Sequence, residues 1–399
     1  MTPDSALAGL HRRWRNRTIS GAMAIAAAGI SVASGSRTGT GIVWAAAALA
    51  IWLYQGAFVA RRLGRNHRPT ETALLPEFGA GTNTTFLRGW LLACLAGFLV
   101  IPRPTGMLAW TPAVIYVFAD LADFLDGYLA RISDHATLLG EALDIEFDAL
   151  GLLTAVAVAI HYSALPIWYL PVGLARYAFI LGLWARKRAH KATYPLPQSD
   201  SRRPLAGLQM GALSIILIPV LHPPLTTLGG ILLAVPLMIG FARDWLVVSG
   251  VIDPISAGYQ TVRKGLKLIL LRWLPILLRG TVIVGVIRLG TVGIVLSGNA
   301  GDSSVLFSLL SAAGAGIVLR LIELAAGITV ALGIAPRVSA GFVLAMILVR
   351  AMGGENSPVL LATLMGAVGV LVVGGGAFSV WQPEIRWFMR RAGEKERVG

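Results

Sequence analysis

Apolar residues in this chain do not alternate with polar ones; they gather in long runs separated by short polar connections. Such runs lie near residues 19–34, 41–60, 89–101, 112–132, 140–160, 165–184, 205–221, 226–248, 280–298, 304–333, 338–351 and 358–379. A hydrocarbon core about 30 Å thick takes roughly 20 residues of α-helix to cross, whereas barrel strands are about half as long and alternate. The pattern predicts an all-α fold, a polytopic membrane helix bundle of about twelve transmembrane helices. Polar breaks divide it three ways: residues 1–66 carry two additional N-terminal helices, 67–252 a block of six, and 253–399 an amphipathic stretch plus four. That stretch, TVRKGLKLILLRWLPILLR, has one basic and one apolar face and is expected to lie on the inner membrane surface.

Composition excludes a soluble enzyme, since 56% of the 399 residues are hydrophobic and only 14% charged. The opening MTPDSALAGLHRRWRNR is too polar and basic for a cleavable signal peptide, and no small-residue cleavage site follows it. The single cysteine, Cys94, lies in an apolar run, so neither an internal disulfide nor redox chemistry is expected.

A net charge of +14 would suggest nucleic acid in a soluble chain, but its placement gives another answer. Basic residues collect in alternate connections: Arg12, Arg13, Arg15 and Arg17; Arg61, Arg62, Arg65 and Arg68; Arg186, Lys187, Arg188, Lys191, Arg202 and Arg203; Arg263, Lys264 and Lys267; and Arg386, Arg390 and Arg391. Arg37 and Arg103 are the exceptions. The positive-inside rule then puts both termini in the cytoplasm of a multi-pass cell-membrane protein. The excess charge serves topology and contact with anionic membrane lipids, and no nucleic-acid partner is expected.

Against this background residues 120–148, DLADFLDGYLARISDHATLLGEALDIEFD, are unusually acidic. Asp123 and Asp126 fall in the inner half of one run and Asp144 and Asp148 in the first turns of the next, joined by a cytoplasmic hairpin. At 1.5 Å per residue Asp126 is recessed by roughly 8 to 10 Å from the helix end. Asp123, Gly127 and Arg131 are spaced four and four, as are Gly140, Asp144 and Asp148, so the two carboxylate pairs can face each other across the hairpin. Gly127, Ala130 and Gly140 lack bulk and leave room for a ligand, and Arg131 carries a fork suited to phosphate oxygens.

These acids could simply cap helices or pair with arginine. Placing each in the membrane costs about 2.5 to 3.5 kcal/mol, however, and one nearby arginine, Arg131, cannot neutralise four of them. Clustered carboxylate oxygens suit hard divalent cations, Mg²⁺ or Mn²⁺, and two such ions could support a displacement at phosphorus. Asp120, one turn earlier, reads better as a hydrogen-bonding neighbour.

The pattern Asp123-x-x-Asp126-Gly127-x-x-Ala130-Arg131, eight residues, Gly140-x-x-x-Asp144-x-x-x-Asp148 resembles the complete signature of the CDP-alcohol phosphotransferase family, with eight specified positions over 26 residues. The wider resemblance covers roughly residues 70 to 250 and includes Thr85-x-x-Arg88. It implies transfer of a phospho-alcohol from a CDP-linked donor such as CDP-diacylglycerol to a small hydroxyl acceptor, with release of CMP. It also implies that Asp123, Asp126 and Asp144 hold the metal ions, with Asp148 a shared ligand or the general base. Gly127, Ala130 and Arg131 would contact the cytidine diphosphate, and Gly140 would keep the second helix close. The donor's acyl chains would stay in the bilayer while its nucleotide enters from the cytoplasm, through a lateral opening between helices.

Arg176, in mid-run, could bind an anionic acceptor or pair with a motif acid. With Arg131, Arg186, Lys187, Arg188, Arg202 and Arg203 it suggests a cationic mouth suited to a phosphorylated polyol such as inositol phosphate or glycerol phosphate. Arg243 and Asp244 read as an interfacial pair beside Trp245. In the last block, Arg320-Leu-Ile-Glu323-Leu-Ala-Ala-Gly327 and the ALGIAPR that follows are similar to the DoxX-like four-helix membrane family. Arg320 and Glu323 can pair there within the bilayer, and scaffolding or homodimerisation are roles open to that block. An ion-coupled transporter or scaffold using the intramembrane carboxylates is the alternative to a transferase.

Overall fold

A computed structural model describes residues 3–34, 38–197, 202–296, 315–352 and 357–384. The described chain is helical, in two compact units. The first comprises the residues up to Arg176 with Leu217–Pro219, and the second Tyr177–Ile216 with the residues from Val220 onward.

In the first unit α1 is Pro3–Ser34, α2 Thr38–Ala60, α3 Ala80–Gly97, α4 Thr111–Ile132 and α5 Leu138–His161. The apolar run at 19–34 is the second half of α1, continuous with the basic HRRWRNR segment before it. Gly29 and Gly41 let α1 and α2 touch: a Cβ on Gly41 would lie 2.3 Å from the Gly29 oxygen. Trp14 and Trp52 lock the pair by donating to the carbonyls of Gly56 (2.9 Å) and Thr18 (2.8 Å). α3 is the buried centre of the unit and packs on α2, α4 and α5. It begins nine residues before the apolar run at 89–101, because its polar first turns, with Thr82, Thr85 and Arg88, are buried in protein instead of meeting lipid. The two N-terminal helices are bonded into this unit: Trp90 donates to the Gly21 carbonyl (3.2 Å) and Tyr54 to Glu146 of α5 (2.6 Å). Arg103, an exception to the charge pattern, donates to the Pro219 carbonyl at 3.0 Å.

α6, Leu170–Arg188, contains the boundary between the units. The second unit continues with α7 Arg202–Ile216, α8 Leu225–Val248, α9 Ala257–Leu268, α10 Leu274–Leu296, α11 Ala315–Leu332, α12 Pro336–Met352 and α13 Pro358–Val373. The basic stretch expected on the membrane surface does not break before the next run; α9 passes through a π turn, Ile269–Trp273, into α10. α9 itself buries nothing, but Arg279 is buried and donates to the carbonyls of Val330 (3.0 Å), Ala331 (3.1 Å) and Gly375 (3.1 Å). It satisfies carbonyls that the last turn of α11 leaves open. Arg320 and Glu323 pair at 2.7 Å as their spacing suggests, and Arg350 approaches the same buried carboxylate at 3.8 Å. Small residues bring these helices close, as in other membrane bundles: Gly369 of α13 lies against Leu278 and Gly285 of α10 against Thr363.

Among the described residues, six helical stretches are long and apolar enough to cross a membrane: Gly39–Ala60, Ala80–Val100, Gly106–Ile132, Ile167–Arg188, Leu225–Val248 and Ala257–Leu289. Pro204–Ile216 and Pro358–Val373 are apolar but shorter. α5 has the length but carries Glu141, Asp144, Glu146 and Asp148. Of the run at 304–333, the part before Ala315 lies outside the described residues, as do Arg386, Arg390 and Arg391. The described helices thus give six crossings by length and composition, where the apolar pattern suggested about twelve.

Candidate active site

The site is built on α3, α4 and α5. α4 starts with Pro112 in its first turn, where a missing N–H costs nothing, and ends at Arg131 and Ile132. One face, with Tyr116, Ala119, Ala122 and Asp126, is buried, while Phe118, Leu121, Phe124 and Leu125 point outward. Gly81 in the first turn of α3 permits the contact with α4: a Cβ there would sit 2.5 Å from the Asp126 oxygen and 2.7 Å from the Ala130 Cβ. Ala130 is therefore a packing surface for α3. The hairpin after α4 is pinned by Arg68, whose guanidinium donates to the Asp134 carbonyl (3.1 and 3.0 Å) and pairs with its carboxylate (3.1 Å). Thr137 then caps α5 by accepting from the Gly140 N–H at 3.1 Å.

This frame brings all four motif aspartates onto one buried cation, Arg88, or close beside it. Arg88 is 1% exposed and lies 2.6 Å from Asp123 and 3.3 Å from Asp144, and its second terminal nitrogen is bonded to Asp148. Asp126, 6% exposed, accepts instead from the Thr85 hydroxyl at 2.9 Å. One oxygen each of Asp123, Asp126 and Asp144 lies within 4.8 Å of the others, while Asp148 stays with Arg88. One guanidinium stands against four carboxyl groups in a half-buried place, so acidic groups outnumber the cation by three. Hard oxygen donors, short separations and unbalanced charge fit a divalent cation, held by Asp123, Asp126 and Asp144.

Along the sequence Arg131 is the arginine beside the acids. In the structure Arg131 is exposed and makes no ion pair among the described residues, and its guanidinium lies over Gly127, where a Cβ would stand 3.2 Å from it. Arg88 takes the counter-ion place, 56 and 60 residues from two of its partners. Its signal was available: a charged residue within an apolar span must face a partner, and Thr85 and Arg88 share one helix face. A Cβ on Gly140 would meet only the Thr137 and Thr82 hydroxyl oxygens, at 3.4 and 3.6 Å. A Cβ at Gly127 or Gly140 would thus meet polar side-chain atoms within 4 Å, those of Arg131 in the first case and of Thr137 and Thr82 in the second.

Arg176 is half-buried, has no ion pair with a motif acid among the described residues, and its buried Nε has no hydrogen-bond partner. Most of the expected cationic mouth is already engaged. Arg186 donates to the carbonyls of Ala192 (2.7 Å) and Ser249 (3.2 Å), and Arg188 stacks on Trp184. Arg202 and Arg243 both hold Asp244 at 2.7 Å, so the interfacial pair at Asp244 is a three-residue cluster. Lys187 lines an open groove with Trp184, His190 and Lys191, and the side chain of Arg203 lies outside the described residues.

No curated protein and no solved structure matches the chain significantly. Residues 82–247, which contain α4, α5 and Arg88, match the family model described as CDP-alcohol phosphatidyltransferase.

Proposed function

We propose that the chain synthesises a phospholipid by moving a phosphatidyl group from CDP-diacylglycerol to a hydroxyl acceptor with release of CMP. The carrying observation is the convergence of Asp123, Asp126, Asp144 and Asp148 inside the segment that matches a transferase family. In this reading Asp123, Asp126 and Asp144 hold Mg²⁺ or Mn²⁺, two ions in all when Asp148 shares one. When bound, the ions neutralise the diphosphate and its developing charge. Arg131, whose guanidinium lies over Gly127, holds a diphosphate oxygen with its planar fork.

The acceptor oxygen attacks the phosphorus that bears the diacylglycerol; the bond from that phosphorus to the CMP oxygen breaks as the new P–O bond forms. The acceptor's proton passes to Asp148, which lies at the edge of the cluster. Holding these groups in line is worth more than any single contact.

The acceptor is a phosphorylated polyol, such as inositol phosphate or glycerol phosphate. Arg176 supports this because it has no ion pair among the described residues, whereas Arg186, Arg188 and Arg202 are engaged. Residues 67–252 form the catalytic domain, flanked by 1–66 and 253–399, with both termini and the site on the cytoplasmic face of the cell membrane.

Purified protein incubated with CDP-diacylglycerol, Mg²⁺ and each candidate acceptor should release CMP, fastest with a phosphorylated polyol. A transporter would release none. Preferred turnover of serine would remove the phosphorylated acceptor while leaving the transferase.

A further inference from the structure

Arg88 does not treat the four carboxylates alike. It reaches Asp123, Asp144 and Asp148, whereas Asp126 is held by Thr85. The three carboxylates that converge within 4.8 Å are Asp123, Asp126 and Asp144, and Asp148 is the member left out. Asp123 and Asp144 therefore belong to both sets, while Asp126 belongs only to the converged trio and Asp148 only to the arginine. Arg88 itself is 1% exposed and its Nε is buried without a hydrogen-bond partner, whereas the three carboxylates it holds are 34 to 47% exposed.

We propose that Arg88 is a resident counter-ion that splits the cluster into a ready site for one divalent ion, Asp123–Asp126–Asp144, and a second place, at Asp148, that an ion can take only by displacing the guanidinium. This rests on the reading that the cluster holds divalent ions. An ion at Asp148 would stand directly against the terminal guanidinium nitrogen that already holds this carboxylate, and the repulsion between two cations at contact is poorly screened beside a buried group. The ions therefore bind in order and unequally. Arg88 acts on the ions through the carboxylates it holds and is a positioning residue.

The test is a Mn²⁺ titration of the full-length protein in detergent, read by electron paramagnetic resonance, for wild type, Arg88→Gln and Arg88→Lys. Wild type should show two classes of bound Mn²⁺ separated by about tenfold or more in affinity, the range over which residues that orient metal ligands act. Arg88→Gln should tighten the weak class towards the strong one, and Arg88→Lys, which keeps the charge, should leave it weak. Thermal unfolding gives an independent reading: Arg88→Gln should melt lower than wild type without Mn²⁺ and gain more from its addition. Weaker or unchanged Mn²⁺ binding in Arg88→Gln, a tight second class in Arg88→Lys, or equal Mn²⁺-induced shifts in melting temperature would each overturn the proposal. If wild type binds no Mn²⁺, the metal reading of the cluster itself fails and takes this one with it.

Discussion

Gly81 is the position where the geometry of α3 and α4 depends on a single missing atom. Gly81→Ala puts a Cβ 2.5 Å from the Asp126 carbonyl oxygen, 2.7 Å from the Ala130 Cβ and 3.0 Å from the Ala130 nitrogen. None of these is the end of a flexible side chain, so relief requires α4 to move bodily. An ordinary contact begins at 3.4 Å, and 3.4 minus 2.5 gives a displacement of about 0.9 Å. Overpacking of this kind costs roughly 1 to 3 kcal/mol of stability. The larger effect should be on rate, because the shift carries Asp123 and Asp126 away from Arg88, Thr85 and Asp144, and a misplacement near 1 Å can cost about 10²-fold. CMP release and the melting temperature, measured side by side, should show a folded protein that turns over on the order of a hundred times more slowly. Adding Ala130→Gly removes the 2.7 Å clash but not the 2.5 Å one, so the double variant should recover only part of the rate. Wild-type turnover in Gly81→Ala would refute the argument that the α3–α4 contact sets the site.

Three further outcomes follow from the same geometry. Asp148→Asn should abolish CMP release in a protein that stays folded, and excess chelator should do the same to wild type; full turnover in either case would remove the proposed mechanism. Arg176→Ala should raise the acceptor KM far more than the donor KM, and an unchanged acceptor KM would detach Arg176 from the acceptor. A chain truncated after Val251 keeps every motif residue and should keep transferring, with a lower melting temperature because Gly207 and Gly211 of α7 lose their contacts with Val372 and Val368. Inactivity in a truncated chain shown to be folded would make the last helices part of the active unit.

The sequence by itself determined the class of fold, the two helices that carry the acids and the positions of those acids along them. α4 and α5 run Thr111–Ile132 and Leu138–His161 where the apolar runs placed helices at 112–132 and 140–160. The reason is local: apolar length, Pro112 in the first turn and the Thr137 cap act within a few residues of each boundary, and helical periodicity fixes which side chains share a face. The partners of those acids were settled elsewhere. Arg88 reaches Asp148 across 60 residues because Gly81 and Gly89 let α3 lie against α4 and α5, and no spacing within either acidic helix encodes that contact. The polar start of α3 at Ala80 has the same origin, since Thr82, Thr85 and Arg88 are buried there by other helices. The partners of two basic residues of the cationic mouth have the same origin, since Arg186 and Arg202 are held by Ser249 and Asp244, 63 and 42 residues away. Spacing along one helix is covalent geometry and can be read from a sequence, whereas the choice of counter-ion for a buried charge depends on which helices pack together.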